Sequence, residues 1–237
     1  MNAIRRISLS LAAIATAAGT TATAQAATAT PRPLAQATLA TCKQVGNTEA
    51  TRRVAMLDTL RQRVESAKDL TGQHRSALLT LIGNDSSGLT ALDQTIQADP
   101  TVTQCRSDVQ LIVTRYRVYV LVVPQVHLAI AADVLASVDT TFARLETPLS
   151  QRIAHAKLSD DQRARAQAAL ADFDSIVAAA GTEVTGQADT VLALTPAGYP
   201  GTTTTLKSVR ATLKQARAHL GTARSDFDTI ADILGLH

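Results

Sequence analysis

The chain has no tryptophan, and its three phenylalanines and three tyrosines bring the aromatic share to only 3% of 237 residues. Sheet proteins draw on aromatic and β-branched residues for their strands and on glycine and proline for their many turns. Here glycine and proline, 11 and 7 residues, are scarce outside a few short stretches, while alanine is abundant. The composition excludes a strand-rich fold and favours long, closely packed helices. The expected fold class is all-α, an elongated helical bundle built from coiled-coil hairpins.

Metal-ligating and catalytic patterns are equally sparse. The five histidines, His74, His127, His155, His219 and His237, form no HxxxH or HExxH pair, and no cysteine lies at ligand spacing from them. His127 stands out because it follows the most apolar run, yet it reads as a boundary residue. Asp160-Asp161, Asp172 with Asp174 and Asp226 with Asp228 are spaced by one or two, so on a helix they point apart and make poor acid/base pairs. G-x-S-x-G, a P-loop and a glycine-rich phosphate cradle are missing. No catalytic residue, metal or cofactor is nominated, and the expectation is a non-enzymatic protein.

Charge of one sign is lacking once the N-terminus is set apart. Residues 1–26 place Arg5 and Arg6 before an apolar run from Ile7 to Ala18 and end in Ala24-Gln25-Ala26, the order of a secretory signal peptide. Its removal leaves 23 − 2 = 21 basic residues against 20 acidic ones. The short clusters at 52–54 and 61–63 are interleaved with apolar residues at helical spacing, so no basic face for nucleic acid is expected. Leu39-Ala40-Thr41-Cys42 resembles a lipobox only superficially, because Cys42 lies far beyond the apolar run. The exported chain is expected to begin near Ala27 without lipid, and residues 27–41, small, polar and proline-broken, read as a flexible linker.

The rest, 42–237, reads as a single helical domain. Val54, Leu57, Leu60, Val64 and Ala67 recur at steps of three and four, as do Leu78, Ile82, Leu89, Leu92 and Ile96. With Thr71 as a cap between them they predict a hairpin over 47–99, bent where Gly83, Ser86, Ser87 and Gly88 weaken its second helix. A central segment, 103–123, is followed by a second hairpin, 124–194. Its stripes are Leu128, Ala131, Leu135, Val138, Phe142, Leu145 and Leu149, then Ala166, Leu170, Phe173, Val177, Ala180 and Val184. Pro148 is expected to kink the first arm or restart it at Thr147. The joint at Arg152–Ser159, with Ser159 and Gln162 as a capping box, echoes Arg63–Thr71, although any two helical joints share such features. The closing helix, 203–234, keeps the three-four alternation through Leu206, Val209, Leu213, Ala216, Leu220, Ala223, Phe227, Ile230 and Leu234, a coiled-coil seam for which a partner in the same chain is favoured.

No apolar run after the leader reaches the roughly 20 residues of a membrane helix. The longest, Val118 to Ala132, contains Pro124, Gln125 and His127. Upstream the stripe follows Val109, Ile112, Tyr116, Tyr119 and Val123, and downstream Leu128, Ala131 and Leu135, a shift of about 200° around a 3.6-residue helix. One straight helix cannot keep both on one face, so a break at Val123-Pro124 is expected within a buried segment. β-branched residues favour an extended path over a kinked helix at 118–123.

The only cysteines, Cys42 and Cys105, lie 29 and 34 residues from the hairpin tip at Thr71. Nearly equal arms bring them to one end, and export supplies an oxidising compartment, so one disulfide is expected.

The A-x-A leader, the Ala/Thr/Arg-rich composition, the run YRVYVLVVPQ and the closing Ala/Arg/Asp heptads resemble uncharacterised secreted helical proteins of high-GC Gram-positive bacteria. That resemblance implies no activity and carries over no residue role. The functional expectation is an exported binding or structural module of the envelope, cell wall or medium. It would act on a protein or envelope component or on a second copy of itself, with no nucleic-acid partner and no stable membrane span after signal cleavage. The alternative is a membrane-active helical protein that inserts the 118–132 region.

Overall fold

The computed structural model describes residues 38–236. The expected signal peptide, most of the linker and His237 lie outside the described residues. Eight α-helices follow one another: α1 (Leu39–Ser66), α2 (Gly72–Ala98), α3 (Val102–Thr114), α4 (Val123–Ala143), α5 (Glu146–His155), α6 (Asp160–Val184), α7 (Gln187–Leu192) and α8 (Gly201–Leu234). A π-helical turn, Val118–Val122, precedes α4, and a short 3₁₀ turn, Pro196–Gly198, precedes α8. Among the described residues there is no strand. The protein is an all-α helical bundle. The chain packs as two compact units.

Among the described residues the first unit comprises 38–67, Arg75–Val126 and Leu194–Thr202. Its helix α1 begins earlier than the linker boundary at 41 implied: the Thr38 hydroxyl accepts from the Thr41 amide at 3.2 Å and caps the helix at Leu39. Cys42 therefore sits in the first turn of α1, not ahead of it, and Cys105 in the first turn of α3. The two form the disulfide, with Cα atoms 6.3 Å apart. Leu57, Val64, Leu78, Ile82, Leu89, Ile96 and Ile112 are fully buried and make the core of this unit. Glycine permits close approach at two places. A Cβ on Gly46 would lie 2.8 Å from Ile96 Cγ2, and one on Gly88 2.5 Å from the Tyr116 hydroxyl. The Gly83–Gly88 stretch thus stays within unbroken α2, its last glycine receiving a tyrosine ring.

The segment 118–123 is helical, which corrects the extended path read from its β-branched residues. Arg117 adopts a left-handed conformation (φ 47°, ψ 36°) and interrupts the helix after α3. The chain then re-enters helix through the π turn, where the Val123 amide donates to the Val118 carbonyl. A lone strand would leave its amides and carbonyls unpaired in the interior. A π turn pairs them and rotates the following residues relative to the preceding ones, which answers the register shift without abandoning helix. Pro124, the second residue of α4, has no amide to donate and follows directly on the π turn. The inward residues are Val118, Leu121 and Val122, whereas Tyr119, assigned to the inward stripe from sequence, is 45% exposed.

Among the described residues the second unit comprises Lys68–His74, His127–Ala193 and 203–236. The first arm of the second hairpin is interrupted at Arg144–Leu145 and restarts at Glu146, one residue before the expected Thr147, with Pro148 in the first turn of α5. Phe142 and Phe173 pack with ring centroids 5.7 Å apart. Ser159 and Gln162 close a full capping box at the start of α6. His219 of α8 lies 3.1 Å from Glu183 of α6. Along α8, eight of the nine seam residues, Leu206 to Ile230, are buried by the chain itself, and Leu234 is half-buried.

Candidate functional site

Within the second unit α4, α6 and α7 enclose a cleft of about 350 Å3, with His74 from the first turn of α2 at its edge. The Thr71 hydroxyl accepts from the His74 amide at 3.3 Å, which starts the helix and orients the imidazole. His74 Nδ1 lies 2.8 and 2.9 Å from the two carboxylate oxygens of Asp133, and Nε2 lies 3.2 Å from Asp189 Oδ1. Asp133 also accepts from the Thr71 amide at 2.8 Å. Its carboxylate is only 6% exposed, and these bonds offset the cost of taking it out of water. Asp189, on short α7, is 68% exposed.

Burial alone would lower the His74 pKa, but the hydrogen bonds to Asp133 and Asp189, with their charges, outweigh it and hold the group above the usual 6.5. A neutral imidazole has one N–H and one lone pair, so it cannot donate to both carboxylates. The protonated ring can. When protonated, His74 bridges the two carboxylates with neither nitrogen presenting a lone pair to the cleft.

Asp139, also lining the cleft, lies against Gly181, where a Cβ would come within 2.8 Å of its Oδ2. Its Oδ1 is buried without a hydrogen-bond partner, and burial raises its pKa above the usual carboxylate value. Asp139 and Gly181 also wall a second hollow of about 150 Å3, which reaches Glu146 and Asp174. Burial, and then the charge of Glu146, raises the Asp174 pKa.

Cys42 and Cys105 are joined in the first unit, apart from this cleft, and the α8 seam residues do not line it. His127 is exposed. Sequence reading passed over His74, Asp133, Asp139 and Asp189, because pairs at separations of 59 and 115 residues leave no spacing motif. One signal was present. Asp133 interrupts the apolar run HLAIAADVLASV, and a carboxylate on an apolar helix needs a partner.

Comparison with protein-family models, with curated proteins and with solved structures finds no match. Fold and site together define an all-α, disulfide-bonded bundle with a carboxylate-lined cleft.

Proposed function

We propose that the protein is exported by its N-terminal leader and acts in the envelope, cell wall or medium as a non-enzymatic helical binding or structural module, with the α4/α6/α7 cleft as its binding feature. The observation that carries this reading is the engagement of both His74 nitrogens by carboxylates. A general base needs a lone pair directed at the substrate, and here the one histidine at the cleft is committed to holding its walls. The disulfide accords with an extracytoplasmic location. The partner is a protein or envelope component, and self-association through helix faces belongs to the same reading.

The test is capture from envelope extract with the exported protein and with Ala136→Trp, which fills the cleft from a half-buried position. A component held by the first and lost by the second, with an unchanged helical spectrum, supports the reading. A component held equally by both moves binding away from the cleft, and turnover of a bound compound overturns the non-enzymatic role.

A second reading, membrane insertion of 118–132, is favoured by one observation: Val102–His155 is long and apolar enough to cross a bilayer by length and composition. Most of the most apolar 18-residue window of that stretch is buried inside the protein, so insertion would require its core to open. Leakage of vesicle contents separates this reading from the first.

A further inference from the structure

We propose that the turn around Arg117, in the first unit, is a peripheral docking surface for an anionic lipid layer, with Tyr119 and Val120 as its apolar tip. This inference is independent of the cleft. Among the described residues the exposed large hydrophobic side chains are Val45, Val113, Tyr119, Val120 and Tyr199, at 38 to 50% exposure. Four of these five lie in two short segments that Arg117 joins. Its Nε donates to the Pro196 carbonyl at 3.2 Å and its guanidinium stacks 3.9 Å from the Tyr199 ring centroid. Arg53 stacks 5.1 Å from the centroid of Tyr119, and its neighbour Arg52 is 67% exposed.

The backbone presents these side chains. An L residue in the left-handed region persists only where its surroundings hold it, and such strain and π turns concentrate at functional positions. Here the left-handed Arg117 and the π turn expose Tyr119 and Val120 while Val118, Leu121 and Val122 stay buried.

Charge selects the partner. No carboxylate occurs from Val113 to Gln125 or from Val191 to Thr202, whereas Arg115 and Arg117 do. Glu49 is paired with Arg52 and Arg53. A soluble polyanion would engage the arginines and leave Val113 and Val120 in water. A lipid interface takes all three kinds of group: guanidinium at the phosphates, tyrosine at the headgroup level and valine just beneath. Because Val118, Leu121 and Val122 of the turn are core, the surface docks and does not span.

The chain has no tryptophan, so Val120→Trp supplies a single reporter at an exposed position. With phosphatidylcholine vesicles containing phosphatidylglycerol, its emission should shift to the blue and the protein should sediment with the vesicles. Phosphatidylcholine alone should give neither. Added salt should weaken binding, Arg115→Gln should weaken it about fivefold, and Tyr119→Ser combined with Val120→Ser should weaken it at least as much. Failure to bind anionic vesicles overturns the proposal. So does binding that the Tyr119/Val120 pair leaves unchanged, which would mark a plain polyanion site, and so does protease protection of 118–132 that appears only with vesicles, which would mark insertion.

Discussion

Arg75 of α2 and Arg163 of α6 close their helix joints by the same set of hydrogen bonds. Arg75 donates to the carbonyls of Val64, Glu65 and Ala67 at 2.5, 2.9 and 2.5 Å. Arg163 donates to the equivalent carbonyls of Ile153, Ala154 and Ala156 at 2.6, 3.3 and 3.0 Å. Each guanidinium thereby satisfies carbonyls that the end of the preceding helix leaves without intrahelical partners.

Replacing either arginine with methionine should cost about 1 to 3 kcal/mol, since charge-assisted bonds to part-buried carbonyls are lost. Lysine should recover little, because one ammonium cannot copy the planar fork. Urea unfolding of Arg75→Met, Arg75→Lys, Arg163→Met and Arg163→Lys checks both statements. Equal stability of the lysine and native proteins would show that charge alone matters.

Reduction of the disulfide should lower stability by about 4 kcal/mol, given that it closes a loop of 63 residues. Unfolding curves of native protein and Cys42→Ser/Cys105→Ser measure it directly. A difference under about 1 kcal/mol would mean that helix packing already holds the ends of α1 and α3 together.

Stability should fall as the pH rises through two windows. Burial raises the Asp85 pKa from 3.8 to about 6, so its contribution is complete below 3.8 and lost as pH passes about 6. The raised His74 pKa gives a contribution complete below 6.5 and lost above it. Asp133 and Asp189 contact the His74 ring, and Asp139 shares its cleft. Asp85→Asn should be more stable than native protein at neutral pH by about 1 to 2 kcal/mol, after discounting for solvent screening. That gap should close below the unfolded pKa. His74→Gln should flatten the upper window, with His74 titration followed by NMR as the control.

Leu220→Asp should destabilise the second unit by several kcal/mol, because Leu220 is 1% exposed and a buried charge would replace it. Thermal melting reads the loss. Unchanged melting with loss of self-association or partner capture would assign the seam to another chain.

Periodicity and composition alone specified the helices. The stripe along α8 and the Ser159 capping box follow from local spacing, because helix periodicity and caps depend on residues near in sequence, and the convergence of Cys42 with Cys105, 63 residues apart, follows from the nearly equal lengths of the hairpin arms. Tertiary packing decided the rest. Whether 118–123 ran extended or helical depended on having partners for its backbone, and only the folded chain supplied the left-handed Arg117 and the π turn that pair it. The division into two units and the joining of His74 to Asp133 and Asp189 likewise arise from contacts between residues far apart in the chain. No one-dimensional pattern encodes such pairs. The only trace they left was a carboxylate, Asp133, on an otherwise apolar stretch, where burial demands a partner that the sequence does not identify.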